Sequence, residues 1–474
     1  MRTQTLKPHS MKRFILLLVA PCTLSFLSLS AQTLTPPPPA PTTTLENAGG
    51  IAARVVRAKV AGVDLVAYPT GVKDVVTIRA SLPAGDAFSA GDNPAIATLT
   101  GMLLDQGTTQ QDKFSIAEKL ESVGATIAFS VDTQMAEITA KCLKKDVALV
   151  ISLIAEQLRM PALSAEELEK AKKQLAGQIQ RQMEDTNFRA SDAFTRAVYP
   201  VGHPNRMPAP EEFIAAAASA QLEDVVAFHK KYYGPASFTF VVVGDLDVPQ
   251  IQGEIEKSFA GWTGGAPVIR AVKATMTDAP KEQTVYMPDK TSVSVVMGQT
   301  TGLKYSDPDY QALRVGTAVL GGSGFSGRLM QVVRDKEGLT YGVYATTSND
   351  TFTDGDWKIN ATFGPSLLEK GIASTTRELR TWYEQGITPA ELDYRKANLV
   401  GSFKVSLATT DGMAASLLAA IHRGYDQSWL DEYPNKVNAL TLEQVNGAIK
   451  KHVKPESMVL IKAGTIPGST PVAK

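Results

Sequence analysis

Two stretches of this chain share one sequence pattern, and this internal repeat constrains the possible folds more than any other feature. Residues 221–244 read QLEDVVAFHKKYYGPASFTFVVVG and residues 441–464 read TLEQVNGAIKKHVKPESMVLIKAG. At an offset of 220 residues (221 to 441) they share a leucine, a glutamate, a valine, a lysine pair, a proline and the final glycine. SAEELEKAKKQL at 164–175 likewise matches TPAELDYRKANL at 388–399, at an offset of 224 (164 to 388). Agreement at two places predicts two homologous domains in one chain.

Hydrophobic periodicity assigns these domains to the α+β class. Alternating apolar residues predict strands over 55–69, 75–83 and 126–144, and a helix over 94–106 lies between them. Helical periodicity dominates the rest of the first copy, with one more strand at 238–243. The remaining predicted helices are 115–123, 147–157, 164–184, 189–198, 211–218, 221–233 and 247–260.

The N-terminus has the pattern of an export signal. Positive charge at Met11-Lys12-Arg13 precedes an apolar stretch that ends in small residues near Ala31. A retained membrane anchor is the alternative, but Pro21 and the serine and threonine content make the stretch a poor membrane span. The sequence therefore predicts a periplasmic or secreted protein without a membrane span after cleavage. The predicted segments are a signal peptide at 1–31, a Pro/Thr-rich tether at 32–49, domains at 50–265 and 266–466, and a tail at 467–474.

Charge and cysteine content narrow the function classes. Lys+Arg and Asp+Glu both number 48, so the net charge is zero and nothing indicates a nucleic-acid partner. Of the two cysteines, Cys22 lies in the predicted signal peptide, which leaves Cys142 as a lone thiol. The exported chain then has no internal disulfide, and its stability must come from packing.

Residues 93–112, NPAIATLTGMLLDQGTTQQD, predict a helix that runs into a turn. Taken alone, its small residues are typical of a closely packed core helix. Together with the duplication, the stretch resembles the first domain of the M16 (pitrilysin-like, inverzincin) metallopeptidases, in which H-x-x-E-H is followed by Met and Gly-Thr. Met102, Gly107 and Thr108 lie where that pattern places them. The resemblance implies two homologous domains, each with a mostly antiparallel sheet covered by helices.

The same resemblance locates a degenerate zinc site. Its motif positions are Ala97, Thr100 and Gly101, and the family's third ligand position falls at Gly177. Two histidines four residues apart on a helix can share a zinc ion, and a glutamate beside them can act as general base. These four residues can do neither, so we expect no zinc in this chain. No relocated motif exists either, because no two histidines lie within four residues of each other: His9, His203, His229, His422 and His452.

Residues 321–345, GGSGFSGRLMQVVRDKEGLTYGVYA, are similar to the M16 second-domain signature. The pattern predicts a helix through Arg334, a C-terminal cap at Gly338 and a strand that carries Tyr341. The resemblance implies that Arg334 holds peptide oxygens and that Tyr341 donates a hydrogen bond to the developing oxyanion. The alternative is that both residues are structural, with Arg334 as a surface cap of the helix and Tyr341 as a core aromatic residue. A phosphate-binding loop is disfavoured because no Lys-Ser/Thr pair follows the glycines.

The remaining histidines predict no site. His203 lies in a Pro/Gly-rich loop, and His229 and His452 lie beside lysine pairs on helices, so all three are predicted to be solvated. A serine or cysteine hydrolase has little support, because the chain has no G-x-S-x-G elbow and no histidine lies near Cys142 in sequence.

Some M16 peptidases divide their zinc motif and their Arg/Tyr pair between two chains. The resemblance therefore predicts an exported, non-catalytic subunit that supplies Arg334 and Tyr341 in trans. Its partner in the heterodimer would be a zinc-bearing M16 homologue, and the substrate an unfolded peptide. The alternative is a non-hydrolytic peptide-binding or scaffold protein with the M16 fold.

Overall fold

Two β-sheets, one in each copy of the repeat, form the framework of the chain. The computed structural model describes residues 49–89, 91–270, 274, 281–322 and 326–466. The predicted signal peptide, all but the last residue of the predicted tether, and the predicted tail lie outside the described residues. The first sheet contains β1 (Val56–Val60), β2 (Val63–Pro69), β3 (Val75–Leu82), β4 (Thr126–Val131), β5 (Ala136–Leu143) and β6 (Thr239–Gly244). The second contains β7 (Lys281–Tyr286), β8 (Val293–Thr300), β9 (Thr340–Ser348), β10 (Asp356–Phe363) and β11 (Val459–Gly464).

The two sheets have the same topology. The first has the order β1-β2-β6-β3-β5-β4 and the second β7-β11-β8-β10-β9. When β2 is matched with β7, the following strands correspond one by one, and β1 is the extra strand of the first sheet. The pairs β2–β6 and β7–β11 are parallel, and the other strand pairs in both sheets are antiparallel. The predicted α+β class with mostly antiparallel sheets is confirmed.

Helices cover these sheets. In the first copy they are α1 (Ile51–Arg54), α2 (Ile96–Leu103), α3 (Lys113–Ser122), α4 (Val147–Arg159), α5 (Ala165–Gln182), α6 (Thr186–Val198), α7 (Pro210–Ser219), α8 (Leu222–Tyr232) and α9 (Val248–Phe259). In the second copy they are α10 (Tyr310–Gly321), α11 (Leu368–Gln385), α12 (Pro389–Ser406), α13 (Thr410–His422), α14 (Trp429–Asn438) and α15 (Leu442–His452). Within the described ranges, no helix is both long enough and apolar enough to cross a membrane.

Equivalent residues begin the long helices α5 and α12. The Ser164 hydroxyl accepts a hydrogen bond from the Glu167 backbone N–H, and the Thr388 hydroxyl accepts one from the N–H of Glu391. The Glu391 carboxylate in turn accepts from the Thr388 backbone N–H, which completes a capping box. Acidic residues in both first turns also suit the positive end of the helix dipole.

The helices that follow α5 and α12 cross to the opposite copy. Helix α6 of the first copy packs on β8 and β11, and α13 of the second copy packs on β3 and β6. Equivalent hydroxyl contacts lie at the start of each crossing helix. The Thr186 and Ser294 hydroxyls are 2.7 Å apart, and those of Thr410 and Thr77 are 2.9 Å apart. Each copy therefore helps to bury the other copy's sheet.

Candidate functional site

The three predicted zinc-motif positions on α2 lie in a packed core. On α2, Ala97 and Thr100 are fully buried and Gly101 is also buried. The Thr100 hydroxyl donates to the backbone carbonyl of Ile96 at 2.7 Å. A Cβ atom added to Gly101 would lie 2.4 Å from Cγ2 of Val131, the last residue of β4. Val131 thus occupies the space that a larger side chain at position 101 would need.

The fourth position differs in its surroundings. Gly177 is half-buried on α5, and the nearest atom to an added Cβ is Nη1 of Arg181, at 3.5 Å. A larger side chain would fit at position 177, but glycine has no side-chain atom that could bind a metal ion. Among the described residues, no group of three or more His, Cys, Asp or Glu side chains could hold a metal ion. The residues present therefore do not fit the zinc ion that the M16 pattern implies.

Arg334 lies on a π-helical segment, Met330–Lys336. The segment ends where the backbone N–H of Gly338 donates to the Arg334 carbonyl at 2.9 Å and Gly338 adopts a φ of +65°. This is the cap that the sequence predicts. The Arg334 side chain is 31% exposed, and its Nη1 lies 3.3 Å from Oδ1 of Asp335. Wide π-type turns are frequent at functional sites.

Tyr341 lies on β9, the outermost strand of the second sheet, and is 95% exposed. Thr340 pairs with Phe363 and Val343 pairs with Ala361, so two residues of β9 face one residue of β10. The result is a β-bulge at Tyr341, and bulges at sheet edges redirect side chains. The alternative that Tyr341 is a core aromatic is therefore wrong. Arg334 and Tyr341 lie on consecutive elements joined at Gly338; their role in catalysis stays a prediction.

Asp86, which the sequence analysis missed, lies beside α2. The Thr98 hydroxyl donates to Oδ1 of Asp86 at 2.7 Å. Burial raises the pKa of Asp86 to about 7, although the hydrogen bond from Thr98 opposes this shift. Asp86 and Thr98 line a cavity of about 340 Å³ that also borders α5, α6 and α7. The sequence carried no signal for Asp86, because most of the other residues that line this cavity are distant from it in sequence.

The prediction that three histidines are solvated is wrong, since tertiary packing encloses two of them and half-buries the third. The His203 side chain is fully buried and stacks on Tyr199, with ring centroids 4.6 Å apart. His452 is buried with Nε2 2.9 Å from Oδ2 of Asp309. His229 is half-buried, and its Nε2 lies 2.8 Å from the Leu158 carbonyl.

A close serine–histidine pair also exists, but it is not a hydrolase site. Oγ of Ser81 lies 2.7 Å from Nε2 of His422, and Ser81 is fully buried, out of reach of a substrate. Burial, together with the nearby Arg270 and Arg423, lowers the pKa of His422 to about 4. The imidazole is therefore neutral at neutral pH and joins α13 to β3.

Comparison with known proteins places the chain in a family. The sequence model of the insulinase family (peptidase family M16) matches residues 65–207, and that of the peptidase M16 inactive domain matches residues 219–399. The chain belongs to the M16 peptidase family. The predicted resemblance is confirmed.

Two curated relatives cover most of the chain. The "Non-peptidase homolog YmxG" of Helicobacter pylori is 23% identical over 383 residues, which are 80% of this chain and 86% of the relative. The "Uncharacterized zinc protease YmxG" of Bacillus subtilis is 26% identical over 357 residues, 73% of this chain and 82% of the relative.

Solved structures share the fold. A peptidase M16 inactive domain from Pseudomonas fluorescens superposes with a TM-score of 0.80 and 25% identity, over 88% of this chain and all of that one. The periplasmic protease PqqL from Escherichia coli superposes with a TM-score of 0.72 and 14% identity, over 88% of this chain and 46% of PqqL. At 14% identity, the PqqL match shows the fold alone.

Proposed function

We propose that this chain is the non-catalytic subunit of a split M16-type zinc peptidase and that it supplies Arg334 and Tyr341 to a zinc-bearing homologous partner. One observation carries the proposal: Tyr341 is 95% exposed on a bulged edge strand. Keeping an aromatic ring in water forgoes the free energy of its burial. A binding partner that covers the ring would recover that energy.

Each side chain has a defined task in the assembled pair. The Arg334 guanidinium, which is partly exposed near the end of its π-helical segment, binds backbone carbonyl or carboxylate oxygens of an unfolded peptide. The Tyr341 hydroxyl donates a hydrogen bond to the oxyanion that forms when the scissile carbonyl is attacked. The partner provides the zinc ion, so no step of bond cleavage depends on metal ligands in this chain.

The proposal includes export to the periplasm or the outside of the cell. Residues 1–31 would be removed as a signal peptide, and 32–49 would act as an extended tether. The proline run at 36–39 suits this role, because such sequences are stiff and extended.

The experiment reconstitutes the chain with the H-x-x-E-H homologue from the same organism and follows hydrolysis of an unfolded fluorogenic peptide. Tyr341→Phe and Arg334→Ala should each lower kcat/KM by about 10²-fold or more, because stabilisation of the transition state is lost. Tyr344→Phe is the matched control, since Tyr344 lies on the same strand and is 51% exposed. Equal rates for Tyr341→Phe and Tyr344→Phe would show that Tyr341 is not a catalytic residue.

A non-hydrolytic peptide-binding or scaffold role is the second candidate. The printed name of the Helicobacter pylori relative, a non-peptidase homolog, favours it. The same reconstitution separates the two functions. A scaffold would bind the peptide or the homologue without raising hydrolysis above the rate of the homologue alone.

A further inference from the structure

Each copy of the repeat contains a cavity at the same place. The first, about 340 Å³, lies among α2, α5, α6 and α7, and the second, about 410 Å³, lies among α10, α12, α13 and α14. Seven lining positions of the first, from Leu175 to Thr195, have counterparts 224 residues later that line the second, from Leu399 to Ala419. The cavities are therefore features of the repeated unit, since unrelated gaps would not share an offset.

The two cavities differ in charge. Asp86 and Asp192 line the first, whereas Arg314 and Arg423 line the second. No carboxylate lines the second cavity in the part of the chain that the structure describes. The repeated unit thus keeps the cavity and reverses the sign of its charged groups. We call the second one the arginine cavity.

The two guanidinium groups are held by aromatic rings. Nη1 of Arg314 donates to the Tyr433 hydroxyl at 2.8 Å. The guanidinium carbon of Arg423 lies 3.6 Å from the centroid of the Tyr305 ring. Nε of Arg423 is buried without a hydrogen-bond partner among the described residues. Such stacking fixes the position of a cation without neutralising its charge.

The surrounding charge leaves the cavity positive. Both arginines act electrostatically on one buried carboxylate, that of Asp350, which accepts a hydrogen bond from the Tyr310 hydroxyl. Two guanidinium groups and no carboxylate line the cavity in the described part of the chain, so its lining is positively charged. An anion is the complementary ligand.

The other residues that line the arginine cavity indicate the chemistry of the rest of the ligand. Aromatic side chains of Phe403, Trp429 and Tyr433 line the cavity, and the hydroxyls of Ser402 and Ser416 add hydrogen-bonding groups. A volume of about 410 Å³ lies within the range of roughly 300–1,000 Å³ typical of small-molecule sites. Apolar walls with a few polar groups suit an apolar body that carries one charged head.

We propose that the arginine cavity binds a small organic carboxylate, with the carboxylate held by Arg314 and Arg423 and its apolar body against the aromatic walls. Guanidinium forks match carboxylate geometry, and aromatic walls favour an apolar body over a bare inorganic anion. The site is independent of the proposed peptidase role, because neither Arg334 nor Tyr341 lines this cavity.

Isothermal titration of the purified chain with two matched probes tests this site. N-acetyl-L-phenylalanine carries a carboxylate, and N-acetyl-L-phenylalanine amide is its neutral counterpart. The acid should bind at least tenfold more tightly than the amide, and inorganic phosphate should bind more weakly than the acid. Arg314→Gln and Arg423→Gln should each weaken binding of the acid by about ten- to a hundredfold, as expected for a lost charged hydrogen bond.

Two further variants keep the test decisive. Arg380→Gln removes the same charge from an exposed position on α11, where Arg380 pairs with Glu456, and should leave binding unchanged. Ala419→Met narrows the cavity and keeps both arginines, so it should weaken binding even if an arginine variant fails to fold. Circular dichroism checks that each variant is folded. The proposal is overturned if the acid does not bind, if acid and amide bind equally, if phosphate binds more tightly than the acid, or if Ala419→Met binds like the wild type.

Discussion

At the scale of single residues, the small side chains at the predicted zinc-motif positions and the neighbouring Val131 determine whether the first copy can bind a metal ion. Ala97, Thr100 and Gly101 lie at the predicted positions of the two zinc-binding histidines and the general base of the M16 motif, and all three are buried. Val131 then fills the space beside Gly101. Because the space beside position 101 is filled, we expect that placing the M16 zinc-motif residues at these positions would not by itself create a metal site.

Gly101→Ala tests this closure. Its Cβ would overlap Cγ2 of Val131, so we expect the free energy of unfolding to fall by about 1–2 kcal/mol in urea titrations. Gly177→Ala is the control, because an added Cβ there has room and alanine should stabilise the helix by about 0.5–1 kcal/mol. Adding Val131→Ala should remove most of the Gly101→Ala penalty. If Gly101→Ala and Gly177→Ala changed the free energy of unfolding equally, the space beside Gly101 on α2 would not be closed by Val131.

Asp86 predicts a pH dependence at the same scale. Its folded pKa, raised to about 7 by burial, exceeds the ordinary value of about 3.9, so between these values the folded state binds more protons than the unfolded state. The contribution of Asp86 to stability therefore falls as pH rises from about 4 to about 7, by at most about 1.4 kcal/mol per pH unit. Asp86→Asn should flatten this part of the stability profile in urea titrations at pH 4.5 to 7.5. If the stability of the wild type and of Asp86→Asn changed with pH in the same way, the raised pKa of Asp86 would be excluded.

At the scale of elements, local signals predicted the helices of the first copy, whereas the order and register of the strands were not predicted. A helix predicted from Ser164 is observed as α5, because the serine caps it and its apolar stripe is local. The β-bulge at Tyr341 and the π-helical segment before it were not predicted. Both depend on how β9 pairs with β10 and packs against its neighbours, which sequence periodicity does not encode. The burial of His203 was missed for the same reason.

The crossing of α13 onto the first sheet makes a testable contribution to stability. Thr410→Val would leave the Thr77 hydroxyl buried without its partner, which should cost about 1–3 kcal/mol of unfolding free energy. The double variant Thr77→Val/Thr410→Val should cost less than the sum of the single changes. Thr381→Val, at a partly exposed threonine on α11 whose hydroxyl bonds only within its own helix, should change stability by no more than about 0.5 kcal/mol. If the losses of unfolding free energy from Thr77→Val and Thr410→Val simply added in the double variant, the two hydroxyls would not interact.

At the scale of the whole molecule, a duplicated unit has diverged in its chemistry while its fold was kept. The repeat at 221–244 and 441–464 was sufficient to predict two copies, and the sheets share one strand order. The exchange of α6 and α13 between copies was not predictable, because it concerns residues distant in sequence. Neither was the charge reversal between the two cavities, since only the fold shows which residues line them.

In the proposed function, this chain contributes to zinc peptidase activity without holding zinc itself. The most direct measurement is the zinc content and the peptide hydrolysis rate of this chain alone, of its H-x-x-E-H homologue alone, and of the two mixed. We expect no stoichiometric zinc and no hydrolysis for this chain alone, and a rate for the mixture well above that of the homologue. Stoichiometric zinc with hydrolysis in the isolated chain, or a mixture no faster than the homologue, would contradict it.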